Sequence, residues 1–148
     1  MIRFGFCDHV PVSWLVLVLL ISMSGCSSGE VDQDLAAKVA QYADDAKNAL
    51  LSRDYDAAIE LTDKCLASGL LQQQLLAEVV AIRVKALIGI GDLDRARDEI
   101  SLFESVAVDP TSGHALKYLY WTKKGDLSSA QRELDQATSI DPSFTLPR

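Results

Sequence analysis

Most of the chain carries the apolar spacing of amphipathic helices. From Leu35 onward, apolar residues recur three and four positions apart, which is the period of one face of an α-helix. Asp34 precedes the first run and is of a type that commonly caps a helix N-terminus. Few strand signals compete with this pattern, so the sequence predicts an all-α domain. The apolar positions of the first predicted helix are Leu35, Val39, Tyr42, Ala43, Ala46, Ala49 and Leu50.

Turn-forming residues divide this pattern into three helical hairpins. The turns within the hairpins are predicted at Arg53-Asp54, Gly91-Asp92 and Gly125-Asp126. Ser68-Gly69 separates the first hairpin from the second. The linker 107–110 separates the second from the third, because its closing proline cannot continue a helix. The return helices are predicted at residues 55–67, 93–106 and 127–140.

The hairpins repeat one another at a spacing near 34 residues. Each combines a turn with an alanine three residues after it, and the second and third units are 34 residues apart. Helical units at this period indicate a solenoid of hairpins, in which each hairpin needs its neighbour to bury its apolar face. The turn and alanine pairs are Asp54-Tyr55 with Ala58, Gly91-Asp92-Leu93 with Ala96, and Gly125-Asp126-Leu127 with Ala130.

This turn-plus-return pattern resembles the tetratricopeptide repeat. The third unit matches that repeat throughout, including Ala137 and the closing Asp141-Pro142, whereas Phe103 replaces the small residue in the second unit. The resemblance implies a right-handed α-α superhelix of three hairpins over residues 35–142, followed by a tail at residues 143–148. A plain helical bundle is the alternative. The residues that carry the repeat signature are Ala58, Gly91, Ala96, Gly125, Ala130 and Pro142.

The resemblance also implies where a partner would bind. In that family the ligand surface is the concave face, lined by the first helix of each hairpin. The residues projected there mix alanine and leucine with spaced lysines, which suits an extended or helical peptide with some acidic character. Ordinary solvated lysines are the alternative. The projected residues are Ala43, Lys47 and Leu50 in the first unit, Glu78, Ala81, Lys85 and Ile88 in the second, and Ala115, Leu119 and Lys123 in the third.

The dicarboxylate clamp of chaperone-binding family members is not implied. Several of its positions hold other residue types here, namely Ala43, Ile82, Ser112 and Leu116.

The last hairpin is expected to need a cover. Arrays of this kind commonly end in an extra polar helix, because terminal repeats require a solvated outer face. The stretch after Pro142 is too short for such a helix. Either the last helix is itself polar enough, or another chain covers it, which predicts weak self-association through the third hairpin.

The start of the chain predicts export and lipidation. Residues 1–25 combine modest positive charge with a 14-residue, mostly apolar stretch, which is short for a membrane span and typical of a cleaved signal. The string Met23-Ser24-Gly25-Cys26 resembles the lipobox of bacterial lipoproteins, in which the cysteine thiolate accepts the lipid. An ordinary signal peptide that contains a cysteine is the alternative. Residues 26–34 are predicted to be a polar tether.

These features predict an envelope location. The resemblance implies a lipid anchor at Cys26 and a domain that faces the periplasm. Because Ser27 follows the cysteine, the resemblance to sorted lipoproteins favours the outer membrane.

Charge and residue types exclude several kinds of function. The net charge of -7 argues against a nucleic-acid partner, which needs a basic footprint. His114 has no second histidine or cysteine pair nearby, so a surface or packing role is predicted and no metal or cofactor is expected. Cys65 is interpreted as a buried structural thiol. Gly89-Ile90-Gly91 is interpreted as part of a turn, because the strand that a phosphate-binding loop requires is missing.

The leading hypothesis is therefore a lipid-anchored adaptor that binds a protein or peptide partner in the bacterial envelope. The alternative is a lipoprotein that helps a type IV pilus or secretion pore to assemble, although such helpers usually have more repeats. A hydrolase that uses a serine or His114 is a third hypothesis, which no residue spacing in the sequence supports. An enzyme is not expected.

Overall fold

A computed structural model describes residues 28–146, with side chains from residue 33 onward. These residues form six α-helices and no β-strand, so the all-α prediction is confirmed. The predicted signal peptide and Cys26 lie outside the described residues. Within residues 28–146, no helix has both the length and the apolar content that a bilayer crossing requires. The helices are α1 Ser28–Leu51, α2 Tyr55–Ala67, α3 Gln73–Ile90, α4 Leu93–Val106, α5 Pro110–Lys124 and α6 Leu127–Ile140.

The first helix begins earlier than the sequence pattern indicated. Asp34 lies inside α1, not at its N-cap, and the part of the predicted polar tether from Ser28 onward is helical. The run 28–34 contains no proline, and its acidic residues favour a helix N-terminus through the helix dipole. The helix thus begins within the polar stretch, because no proline from Ser28 to Asp34 stops it.

The hairpin turns share one local structure. Gly91 and Gly125 end α3 and α5 in the left-handed conformation, with φ of 87° and 86°. Asp92 and Asp126 then cap α4 and α6, and each accepts a hydrogen bond from the backbone N–H three residues further on. In the first turn Arg53 adopts a φ of 64°. That conformation costs a residue with a Cβ about 1 kcal/mol or more, so the first turn is the least favourable of the three.

Neighbouring helices approach closely where their side chains are small. Ala46 of α1 and Ala58 of α2 are both fully buried in one cluster with Ala86 of α3. Ala96 and Ala130 are also buried, with 0% and 2% of their surface exposed. The alanine positions of the repeat signature therefore face the interior in all three hairpins.

Apolar side chains join the second hairpin to the third. Val84 and Leu87 of α3 share one buried cluster with Ile100 of α4 and with Leu116 and Tyr120 of α5. A second cluster joins α1, α2 and α3, where the Cys65 thiol donates to the Val39 carbonyl at 3.6 Å. Each hairpin therefore buries apolar surface against the next.

Ionic contacts reinforce the joints between helices. Arg83 of α3 bridges Asp63 of α2 and Glu99 of α4, with Arg83 Nε 2.9 Å from Glu99 Oε1. Lys117 of α5 pairs with Glu104 of α4. Because the Arg83 side chain is only 13% exposed, its two partners are needed to compensate for the solvation that it loses.

Gly89 is a contact point between hairpins, because the ring of Tyr55 lies against its backbone. A Cβ built at Gly89 would lie 2.7 Å from that ring. We expect Gly89→Ala to lower the free energy of unfolding by about 1–3 kcal/mol, since overpacking forces neighbouring groups apart. Urea denaturation measures the change.

Gly113→Ala is the matched control, because Gly113 is also inside a helix. A Cβ there would meet Glu104 Cγ at 3.6 Å, an ordinary contact. Alanine should therefore raise the free energy of unfolding by about 0.5–1 kcal/mol. Equal shifts in the two variants would show that the Tyr55 contact does not constrain Gly89.

Candidate functional site

An elongated cavity lies between α3 and α5 and has a volume of about 710 Å³. The linker between α4 and α5 and the residues that follow α6 bound one end of it. Its lining is mostly apolar. The lining residues are Gln73, Gln74, Ala77, Glu78, Ala81 and Lys85 from α3, Phe103 and Val106 from α4, Ala107, Val108 and Asp109 from the linker, Ser112, Ala115, Leu116 and Leu119 from α5, and Phe144 and Thr145.

The repeat spacing places these side chains opposite one another. Ala81 and Lys85 of α3 lie one helical turn apart, and Ala115 and Leu119 stand 34 residues later on α5. This offset indicates that the two helices run side by side in the same direction. Alanine is too small to fill the space between the two helices, so the cavity stays open.

Lys85 is the distinctive charged group of the cavity. Its side chain is half-buried, and no ion pair to it exists among the residues that the structure describes. Burial lowers the pKa of the Lys85 ammonium, the charge of Lys47 lowers it further, and the Glu78 carboxylate opposes the shift. The cavity therefore holds a cation that has lost part of its water without gaining a close partner.

The other charged groups of the cavity already have partners. Glu78 Oε1 accepts from Lys47 Nζ at 3.1 Å. Asp109 caps α5 and accepts from the Ser112 hydroxyl at 2.7 Å and from the backbone N–H groups of Thr111 and Ser112. The Ser112 hydroxyl is the largest cause of the lowered pKa of Asp109. These carboxylates are occupied in structural contacts.

A hydrogen-bonded turn directs Phe144 to the cavity. Asp141 Oδ1 accepts from the backbone N–H of Ser143 at 2.9 Å and from its hydroxyl at 2.6 Å. The Phe144 N–H donates to the Asp141 carbonyl at 2.9 Å. Phe144 is half-buried as a result, although it follows the last helix. The residues after α6 thus form one wall of the cavity.

Five of the ten projected groove residues line the cavity, namely Glu78, Ala81, Lys85, Ala115 and Leu119. Lys47 stands beside it through its ion pair to Glu78. Lys123 is exposed and donates to the carbonyl of Gly89 at 3.3 Å.

Three projected groove residues pack in the core instead. Ile88 is 8% exposed and packs in the main core cluster, so it does not line the cavity. Leu50 packs against the cluster that joins α1, α2 and α3. Ala43, which was also projected onto the face, is buried among Val39, Cys65 and Val79.

Sequence reasoning missed the end of the cavity next to the α4–α5 linker. Ala77 and Gln74 extend the predicted stripe of α3 by one helical turn toward its N-terminus, so the same spacing could have found them. Phe103 stands where the third unit has Ala137, and its size was the available signal. Phe144 is a lone aromatic residue after the last helix, and no periodicity marks it.

The remaining chemical candidates have structural surroundings. His114 Nδ1 lies 2.8 Å from Glu133 Oε2 and joins α5 to α6, as expected of a packing residue. Cys65 is fully buried, and burial raises the pKa of its thiol. Gly91 ends α3, which agrees with the interpretation of Gly89-Ile90-Gly91 as part of a turn. Residues 28–146 contain no group of three His, Cys, Asp or Glu side chains with the geometry of a metal site.

The outer face of α6 is polar along its middle. Gln131, Arg132 and Asp135 are exposed, while the exposed apolar residues Leu127 and Ile140 stand at opposite ends of the helix. Self-association through this hairpin stays a prediction.

No family model matches the chain, and neither a curated protein nor a solved structure matches it.

Because Lys85 is partly buried, we expect the free energy of unfolding to depend on the charge of its side chain. The pKa of Lys85 is lower in the folded chain than its ordinary value of 10.5, so the unfolded chain binds more protons between the two values. The penalty of burying the charge is complete below the folded pKa and vanishes as the pH rises above 10.5. Lys85→Met should therefore raise the free energy of unfolding at pH 7, and the gain should shrink on approach to pH 10.5.

Urea denaturation at a series of pH values measures this difference. Lys38→Met is the control, because Lys38 is exposed on α1 and should give little change at any pH. A stability gain from Lys85→Met that is the same at neutral and alkaline pH would contradict the charge penalty.

Proposed function

We propose that this protein is a lipid-anchored adaptor of the bacterial cell envelope that binds a protein partner along the cavity between α3 and α5. The observation that carries the proposal is the cavity itself, which is long, mostly apolar and open to solvent between two parallel helices. A groove of that form suits an extended or helical peptide segment.

The proposed architecture is a short superhelix similar to tetratricopeptide repeats. Its support is the buried alanine of each return helix, the glycine and aspartate at the second and third turns, and the 34-residue offset between α3 and α5. In such an array the first helices of successive hairpins line one face. The cavity lies between two of these first helices, where a partner of the array would bind.

Binding, rather than chemistry, is what the polar groups of the cavity support. Glu78 is paired with Lys47, and Asp109 is held by the N-terminus of α5. Neither carboxylate is placed beside a histidine or a nucleophile in the hydrogen bonds of the described residues. An adaptor role requires no change in the contacts of these two carboxylates.

Photo-crosslinking tests the binding surface. A photoreactive phenylalanine analogue at Ala81 or Leu119 should form a discrete adduct with one envelope protein, whose crosslinked peptide is then identified by mass spectrometry. The same analogue at Leu102 or Gln131, which are exposed outside the cavity, is the matched control. Adducts of equal yield from all four positions, or none from the cavity positions, would contradict the proposed groove.

The anchor rests on the sequence of residues 23–26. Cys26→Ser should move the protein from the membrane fraction to the soluble fraction, because the lipid would have no thiol to join. Cys7→Ser is the matched control and should leave the protein with the membranes, since Cys7 lies within the predicted signal peptide. Fractionation followed by mass measurement of the N-terminal peptide checks both. Membrane retention of the Cys26→Ser variant would refute the anchor.

A further inference from the structure

The cavity offers a partner one charge. Lys85 lines the cavity among small and apolar side chains, and the described residues supply no carboxylate within ion-pair distance of it. A half-buried ammonium of this kind gains most from an anion that enters with the ligand, because the lysine has already lost part of its hydration. Glu78, whose charge acts on Lys85, is itself paired with Lys47.

Four large apolar side chains line the end of the cavity next to the α4–α5 linker. Phe103 and Val106 of α4, Val108 of the linker and Phe144 line it together. Val108 is 83% exposed, so its side chain is available for contact with a ligand. An apolar side chain of a ligand would find partners there on more than one side. Two chemically different subsites therefore lie in one continuous cavity.

The net charge of the whole chain limits where an acidic ligand can bind. The protein carries a net charge of -7, so it repels acidic molecules in general. An acidic group is attracted only where a local cation outweighs that background. Lys85 provides such a point inside the cavity, with Lys47 close enough to affect it.

We propose that the partner is a peptide segment that places one carboxylate against Lys85 and one bulky apolar side chain against the wall formed by Phe144. This inference rests on the proposed function, since it names the chemistry of the partner that the cavity takes. It assigns Lys85 as the residue that selects acidic segments and Phe144 as a binding residue outside the helical array.

A pair of fluorescent probes separates the two subsites. Anilinonaphthalene sulfonate joins an aromatic body to an anion, and N-phenylnaphthylamine is the same body without the anion. Lys85→Met should weaken binding of the sulfonate roughly tenfold, as loss of a hydrogen bond to a charged group implies, and leave the uncharged probe nearly unchanged. Phe144→Ala should weaken both probes by about fivefold through lost apolar contact.

The controls are Lys38→Met and Leu127→Ala, which remove an exposed lysine and an exposed apolar residue away from the cavity. Neither should change the affinity for either probe. Circular dichroism verifies that each variant is folded, and Lys85→Gln replaces Lys85→Met if the methionine variant is not. Equal effects of Lys85→Met on both probes would overturn the role of Lys85. Tighter binding after Phe144→Ala would show that Phe144 blocks the cavity and would overturn its role as a wall.

Synthetic peptides then test the proposed partner class. The set carries one glutamate and one phenylalanine, separated by a varied number of serine and glycine residues, and a matched set carries glutamine in place of glutamate. The best glutamate peptide should bind the wild-type chain more tightly than its glutamine twin, and Lys85→Met should abolish that preference. A preference that persists in Lys85→Met, or the absence of any preference, overturns the proposal.

These outcomes are separate from those of the adaptor hypothesis. A partner adduct at Ala81 that forms as well in Lys85→Met and Phe144→Ala variants leaves the adaptor role standing and removes only this inference.

Discussion

Close approach of helices at small side chains is the constraint on which this fold depends. Ala46 and Ala58 face each other with no exposed surface, and Ala96 and Ala130 are almost as fully buried. A larger side chain at these positions would push the paired helices apart, and packed interiors tolerate such insertions poorly. The ring of Tyr55 against the Gly89 backbone extends the same principle from pairs of helices to pairs of hairpins.

The same use of small residues creates the cavity. Alanines on the inward faces of α3 and α5 leave space between helices that run side by side, and Phe103 occupies a position that is alanine in the following unit. Small side chains thus account both for the close packing of the helices and for the open cavity. Small side chains permit contact where two helices are antiparallel neighbours, and they leave a gap beside the direct contacts that α3 and α5 make with each other.

Helix positions and turns were predictable because they depend on local chemistry. The glycine and aspartate of each later turn define where one helix ends and the next begins, and the alanine spacing orients the return helices. The start of α1 was not predictable from polarity, because polar residues other than glycine and proline are compatible with an α-helix. Lys85 and Leu119 were predicted in the groove, whereas Phe144 was missed because its position depends on a turn of three residues after α6.

Ile88 illustrates why periodicity alone does not define a binding surface. It lies three residues after Lys85, a step that nearly keeps the face of a helix, yet it is buried while Lys85 lines the cavity. The boundary between core and groove falls between them, because Ile88 packs in the cluster shared by α3, α4 and α5. Lys85 stands at this boundary, where burial lowers the pKa of its ammonium group. Such a residue lowers the stability of the free protein, and a ligand that paired with its charge would relieve this loss. Local inconsistencies of this kind are expected at functional positions in an otherwise consistent fold.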